Sequence, residues 1–264
     1  MNDSIICCTC NNNSKYKNYL YSLLGSIHTN DPDLPVHVRL INCDAQTHDH
    51  VGNMSNVIVQ QDIYTTKPGH IVNRHGVHTT KGIKYLLSRH RKEVWGVYTE
   101  DAFYSCMIKY DTMTDLLQQY TNVIYVDVDT IVRGSIKNSV AELPFFDIGL
   151  FFDKKILTFP HAGLIVARNT DKTKKCISFM RDYFDHKIKS GDINIGEGDG
   201  ELLYNTCTVN ALKIYRLSKQ WKDEGQYYND ESIMWSGRSE RKFKNEQYIN
   251  EYTKYLNHDK QDRN

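Results

Sequence analysis

The chain opens on SIICCTC (Ser4–Cys10), an apolar run of strand length. The polar NNNS that follows predicts a turn and a helix start. Tyr16, Leu20, Leu23, Leu24 and Ile27 then recur at helical spacing until HTNDPDLP breaks the pattern. Val36–Ile41 (VHVRLI) reads as the next strand and Asn56–Gln60 (NVIVQ) as a third, a β-α-β-β opening that points to an α/β sheet. From Ala102 to Tyr120 a stripe of Phe103, Cys106, Met107, Tyr110, Met113, Leu117 and Tyr120 predicts one long helix whose sulfur and aromatic face packs as core. It feeds VIYVDVDTIV at 123–132, with the composition of a strand buried on both faces. FFDIGLFF and HAGLIVA are further strands, Thr170–His186 and Asp199–Leu212 further helices, and 213–217 (KIYRL) a strand. Tyr248, Ile249, Tyr252, Tyr255 and Leu256 share one face of a closing helix, Glu246–Leu256. There is no repeat or long linker, so the expectation is one domain over 1–256 with a frayed tail at 257–264.

Composition narrows the class of protein. With 40 % hydrophobic and 25 % charged residues among 264, the chain reads as an ordinary globular one. A net charge of +1 gives no strong field for nucleic acid, and no nucleic-acid partner is expected. The mean hydropathy of −0.58 and the lack of an apolar run near ~18 residues argue against a membrane span. MNDSIICCTC lacks the basic-then-apolar order of a secretory leader. Seven scattered cysteines, an odd number, suit a reducing compartment, so a cytoplasmic location is expected. Cys7 and Cys10 form a C-x-x-C, but it has no second pair for zinc, and on a strand the two face opposite sides. One block stands out. Between Ile63 and Lys92 there is no acid, while Lys67, Arg74, Lys81, Lys84, Arg89, Arg91 and Lys92 join His70, His75, His78 and His90. It reads either as a solvated face or as a source of cations for a diphosphate or an anionic acceptor.

Two carboxylates sit where core is expected. On a strand Asp127 and Asp129 would share a face, with Val128 opposite and Cα atoms about 7 Å apart. At that distance they repel by roughly 2 kcal/mol at an effective dielectric near 20. A hard divalent cation compensates such a pair, because Mg²⁺ and Mn²⁺ prefer carboxylate and phosphate oxygens. The pair also falls where the apolar run ends, and open α/β sheets bind ligands beyond the carboxyl ends of their strands. A plain surface turn is the ordinary alternative. A phosphatase of the haloacid-dehalogenase type also uses a strand ending D-x-D-x-T, but here Thr130 directly follows Asp129 and the string lies mid-chain.

A mid-chain strand of the form h-h-Y-h-D-x-D-T-h-h after a long helix resembles the D-x-D strand of GT-A glycosyltransferases, above all glycosyltransferase family eight, which holds glycogenin and bacterial galactosyltransferases. IICCTCNNNSKYKNYLYSLLGSIHTNDPDLPVHV resembles that family's first strand, nucleotide loop and first helix. FPHAGLIVARNT resembles its N-A-G strand, GDGELLYN its D-Q-x-x-L-N segment and, weakly, SIMWSGRSERK its closing H-x-x-G-x-x-K. These stretches run from residue 4 to about 242 in the family's order.

The resemblance implies a single α/β domain of GT-A type: a mostly parallel, Rossmann-like sheet with helices on both faces. It implies that Asp127 and Asp129 hold Mn²⁺ or Mg²⁺ against a nucleotide diphosphate. It places Thr9, Asn11, Asn12 and Val128 around the nucleoside, though Asn11 stands where relatives often have Asp, and NNN is equally a turn. Lys109 would meet the phosphates or the donor sugar, or be a solvated helix lysine. His161 replaces the Asn of N-A-G, to bond a sugar hydroxyl or simply to pack. Asp199 and Glu201 flank Gly200 where the family has Gln, and would touch the donor, act at the reacting carbon, or only favour a helix N-terminus. SIMWSGRSERK lacks the family's third metal ligand, a histidine. Its Gly237 permits close approach, and Arg238, Arg241 or Lys242 could meet the diphosphate. The implied activity is transfer of a hexose from a nucleotide sugar, UDP-linked, to a hydroxyl of a glycan or other acceptor. Retention is implied, or inversion if Asp199 or Glu201 is a base. The alternatives are the phosphatase and a catalytically silent nucleotide-sugar binder on the same fold.

Overall fold

A computed structural model describes residues 2–65, 71–73, 97–152, 160–190, 199–223, 231–236 and 239–257. The lysines, arginines and histidines of the basic block lie outside these residues, as do Gly237, Arg238 and the tail from 258 onward. Strand β1 (Asn2–Asn11) leads into α1 (Ser14–Asn30), β2 (Val36–Ile41), α2 (Ala45–Gly52) and β3 (Val57–Asp62). A ribbon of β4 (Ile71–Asn73) and β5 (Val97–Thr99) precedes α3 (Glu100–Met107) and α4 (Lys109–Leu116). Then follow β6 (Tyr120–Val126), β7 (Ile131–Val132), α5 (Ile136–Ala141), β8 (Ile148–Phe151) and β9 (His161–Arg168). The chain continues through α6 (Asp171–Ser190), α7 (Asp199–Val209), β10 (Ile214–Leu217), β11 (Met234–Trp235), a 3₁₀ helix (Ser239–Lys244) and α8 (Glu246–Leu256).

Seven strands form the central sheet in the order β10-β8-β9-β6-β1-β2-β3. The sheet is mostly parallel, as expected: β9 runs against both its neighbours, β6 and β8, and the other pairs are parallel. This reversal matters for the site. It carries the first residues of β9 to the edge where β1 and β6 end.

Side-chain alternation divides the core into two layers. Ile6, Cys8 and Cys10 of β1 pack with Leu20, Leu23, Leu24 and Ile27 of α1. Ile5 and Cys7 face the other way, against Met113, Ile177, Met180 and Leu203 of α4, α6 and α7. Each such buried aliphatic side chain contributes roughly 1.5–3 kcal/mol. Cys7 and Cys10 thus lie on opposite faces, and all seven cysteines are free thiols. A smaller cluster of Ile131, Trp235, Tyr248 and Tyr255 packs α8 against β7 and β11, and α8 also runs beside α1.

Three local expectations need correction. The opening is β-α-β-α-β: α2, capped by Asp44, has eight residues and buries only Thr47 and Val51, too little for a helical period to show. The long helix is two. Its break at Ile108 is slight, since helical angles and hydrogen bonds persist across it, but Tyr120 already belongs to β6. Strand β6 ends at Val126, so Asp127 and Asp129 occupy the turn just past it rather than the strand itself. Tyr16 lies in α1, as its spacing predicts, and is 42 % exposed. Among the described residues no helix is long and apolar enough to cross a membrane.

Candidate active site

A cleft of about 360 Å³ opens beyond the carboxyl ends of β1 and β6. Six parts of the chain line it. The end of β1 gives Thr9, Cys10 and Asn11, α1 gives Tyr16, and α3 and α4 give Ser105, Cys106 and Lys109. Strand β6 and its turn give Tyr125, Asp127, Val128 and Asp129, the start of β9 gives His161, Ala162 and Gly163, and the first residue of α7 gives Asp199.

The turn holding the aspartates is fixed by the sheet. Asp127 N donates to Gly163 O at 2.9 Å, continuing the β6–β9 ladder past the strand end. Its Oδ1 accepts from the Tyr125 hydroxyl at 3.2 Å, and that hydroxyl lies 3.2 Å from Thr9 Oγ1. Burial, and then the Asp127 charge, push the Tyr125 phenol far up in pKa, so it remains a donor. Gly163 makes room for the Asp127 and Lys222 side chains here. A Cβ on it would fall 2.0 Å from Asp127 Oδ2 and 2.7 Å from Lys222 Nζ, so the carboxylate and this ammonium share the space that glycine leaves.

Two more carboxylates and lysines complete the site. Lys109, buried, donates to Asp199 Oδ2 at 2.8 Å and to Ala162 O at 3.1 Å. Desolvation alone would favour neutral lysine, but Asp199 and Asp127 outweigh it and hold the pKa above the usual value. Asp199 Oδ1 accepts from Gly200 N at 3.0 Å. The start of α7 presses so closely on β9 that a Cβ at Gly200 would lie 2.1 Å from Pro160 O, which explains the glycine between two acids. Arg39 secures α4 from below, donating to Asp62 at 2.6 Å and to Asp111 at 2.5 Å. Lys242 on the 3₁₀ helix donates to Asp129 Oδ2 at 2.8 Å.

His161 is exposed at the mouth of the cleft, and Lys222 Nζ donates to its Nδ1 at 3.3 Å. Nδ1 is therefore the bare nitrogen and Nε2 carries the proton, a donor suited to a sugar oxygen. The neighbouring Lys222 charge, and then desolvation, lower the imidazole pKa to about 4 from 6.5. A ¹H–¹⁵N titration is expected to show this ring neutral through physiological pH with its midpoint near 4. A midpoint at 6.5 would show that Lys222 does not govern the ring. Between those two pH values the unfolded chain binds more protons, so this group lowers stability as pH falls through that window.

Of the residues singled out from sequence, Thr9, Asn11, Lys109, Asp127, Val128, Asp129, His161 and Asp199 meet in the cleft, and Lys242 stands behind Asp129. Asn12 is exposed and accepts from Lys17 at 3.3 Å, and Glu201 is not among the lining residues. Asn13 caps α1, so part of NNNS is a helix start. Gly237 and Arg238 lie outside the described residues. Sequence reasoning missed Tyr125, Tyr16 and Lys222. Tyr125 had a signal, since two residues before Asp127 is the same strand face. Lys222 had none.

A divalent cation fits this donor set. Mg²⁺ and Mn²⁺ take one or two protein carboxylates and fill the other positions with substrate phosphates and water. Asp127 and Asp129 would be the two carboxylates. Among the described residues no group of three or more His, Cys, Asp or Glu side chains could hold a metal by itself, so a bound cation would need substrate and solvent for the rest of its shell. A second cleft, of about 300 Å³, lies at the amino ends of β2 and β3. Its one lining carboxylate, Asp31, is committed to capping α5 through Ser135, Ile136 and Lys137.

The fold is that of the GT-A glycosyltransferases. No protein-family description matches the sequence, and no curated protein matches it either. Solved structures do match. The glycosyltransferase GlyE of Streptococcus pneumoniae TIGR4 superposes with a TM-score of 0.56 at 11 % identity over 97 % of this chain. The chain spans 63 % of the length of GlyE. The galactosyltransferase LgtC, solved in complex with donor and acceptor sugar analogs, gives 0.56 at 12 % identity, covering 96 % of this chain and 95 % of its own. Mouse xyloside xylosyltransferase 1 gives 0.50 at 10 % identity, covering 90 % of this chain and 99 % of its own. At such identities the likeness is one of fold.

Proposed function

We propose that the protein is a glycosyltransferase that moves a hexose from a nucleotide sugar, UDP-linked, to a hydroxyl acceptor, with a divalent cation and with retention. One observation carries this reading. A single cleft at the carboxyl edge of a GT-A sheet gathers Asp127, Asp129, Lys109, His161 and Asp199 from four separate stretches of chain.

The charges of the site support it. Among the described residues, the carboxylates of Asp127, Asp129 and Asp199 are matched by the ammonium groups of Lys109, Lys222 and Lys242. A divalent cation and the diphosphate of a nucleotide sugar cancel one another, so the pair enters without leaving net charge in a confined site. The cation, when bound, supplies Lewis-acid stabilisation of the departing diphosphate. Thr9, Asn11 and Tyr16 offer the nucleoside polar groups and an aromatic face. His161 Nε2–H is a donor for a sugar oxygen at the cleft mouth, and Lys109 lends positive charge where the leaving group collects negative charge. Asp199 has one oxygen on Lys109 and the other on Gly200 N. A carboxylate so engaged is committed to holding Lys109 and the start of α7, which supports retention over base-assisted inversion.

Calorimetry with UDP, with and without Mn²⁺, tests the reading, followed by a screen of UDP-hexoses for transfer and for slow hydrolysis. Binding that needs both Mn²⁺ and the two aspartates is expected, with turnover of one donor. No binding of UDP or a UDP-sugar in the presence of Mn²⁺ would remove it.

A further inference from the structure

Strand β1 ends beside a second thiol. It runs parallel to β2, with Cys10 opposite Leu40 and Asn11 opposite Ile41. The chain then turns at Asn42, whose φ of 54° is left-handed, and this brings Cys43 beside the end of β1. Asn42 exchanges hydrogen bonds with the Tyr64 backbone at 2.7 Å each, and Gln61 Nε2 donates to Cys43 O at 2.7 Å, so the turn is held. Cys43 Sγ donates to Cys10 O at 3.8 Å, and the two sulfurs lie within hydrogen-bonding reach of each other. Cys43 is 6 % exposed and Cys10 1 %, so an oxidant meets Cys43 first. Cys10 also belongs to the lining of the cleft.

We propose that Cys10 and Cys43 are an oxidation-sensitive dithiol: Cys43 reacts with a peroxide, and Cys10 then closes a disulfide that draws the end of β1 out of its place in the cleft. The hydrogen bond to Cys10, then a backbone bond at Ile41 and the Lys17 charge, hold the Cys43 thiol below its ordinary pKa against burial and Asp44. The same hydrogen bond and burial push Cys10 up. Cys43 is therefore the source of thiolate, the nucleophilic form. Its sulfur attacks one peroxide oxygen and the O–O bond breaks. The hydroxide released takes up the proton that Cys43 lost, leaving water and a sulfenic acid. Cys10 attacks the Cys43 sulfur, and the hydroxyl leaves as water with the Cys10 proton. The thiols lose two electrons in all, and the peroxide becomes two waters. The sulfurs must close to about 2.05 Å. Cys43 is pinned by Asn42 and Gln61, and Asp44 beside it caps α2. In the sheet, β1 pairs with β6 only as far as Cys7 and Tyr125, and beyond that with β2 alone. The movement therefore falls on Cys10 and Asn11, both in the cleft lining. Cys176 and Cys207 offer a contrast. They lie 3.4 Å apart and fully buried, and their hydrogen bond and burial push Cys207 far up, the setting of inert thiols. The effect on donor binding rests on the proposed function; the dithiol does not.

The test treats the reduced full chain with equimolar hydrogen peroxide and maps linked peptides by mass spectrometry, with fragmentation that tells Cys10 from Cys7 and Cys8. Calorimetry with UDP and Mn²⁺ is run before oxidation, after it, and after dithiothreitol. A Cys10–Cys43 link is expected, with Cys176 and Cys207 left as thiols. Affinity for UDP should fall about tenfold, a usual strength for coupled sites, and return with dithiothreitol. Cys43→Ser and Cys43→Ala, checked for folding by near-ultraviolet circular dichroism, should form no link to Cys10 and keep their UDP affinity under peroxide. No Cys10–Cys43 link, or another pair linked first, would overturn the dithiol. A complete link with UDP affinity unchanged would overturn its hold on the cleft. If reduced wild type does not bind UDP with Mn²⁺, the proposed function and the effect on the cleft fall together, while the peptide map still decides the dithiol.

Discussion

Asp127→Asn is expected to lower kcat/KM for the sugar donor about a hundred- to a thousandfold, the scale on which one preorganised electrostatic contact acts. Asparagine keeps an oxygen for the Tyr125 hydroxyl and a shape that fits over Gly163, so the turn should survive. The negative charge does not survive. On the proposed function a bound cation would lose one of two protein ligands, and Lys222 loses the carboxylate that shares its space. Melting temperature should move little while Mn²⁺-dependent UDP affinity collapses. Steady-state kinetics within about tenfold of wild type, or less than ~1.4 kcal/mol of lost transition-state stabilisation, would remove Asp127 from the machinery.

Gly163→Ala approaches the same carboxylate from behind and is expected to damage both stability and binding. The new methyl would stand 2.0 Å from Asp127 Oδ2 and 2.7 Å from Lys222 Nζ, so at least one of them must leave. Forcing atoms into a filled site costs about 1–3 kcal/mol, to be read from urea denaturation. The displaced Asp127 should also weaken Mn²⁺-dependent UDP binding by about tenfold, roughly one factor-of-ten step in free energy. Gly149→Ala is the control. Its Cβ would meet Leu217 Cδ2 and Val166 Cβ at 3.2 Å, tight contacts with side chains remote from the aspartates. Equal loss of UDP affinity in both variants would mean that general sheet strain, and not the Asp127 position, sets binding.

Sequence made the fold legible where periodicity was long and burial strong. The stripe on α1, the six buried residues of β2 and the bounds of α8 all read directly. It failed where an element was short: α2, α5, β7 and β11 bury too few residues to imprint a period. Asp127 and Asp129 were visible because a charge after Val126 contradicts its surroundings, although a strand reading carried them one turn too deep. The roles of Lys109 and Asp199 were harder to separate, since nothing in either segment shows that they form one ion pair. Lys222 was invisible for the same reason: its closeness to Asp127 and His161 exists only after β9 has reversed.

That sheet order also bears on how the chain is made. Ile6 of β1 lies opposite Val36 on one side and Ile124 on the other. During synthesis β1, β2 and β3 can pair as soon as they emerge. The second edge of β1 stays open until β6 follows, a wait of several seconds at ~5–20 residues per second. An unpaired apolar edge is a template for wrong partners, and pairings so distant in sequence form slowly. Strand β1, one place from the middle of the sheet, is therefore exposed to wrong pairing for as long as the ribosome has not yet delivered β6.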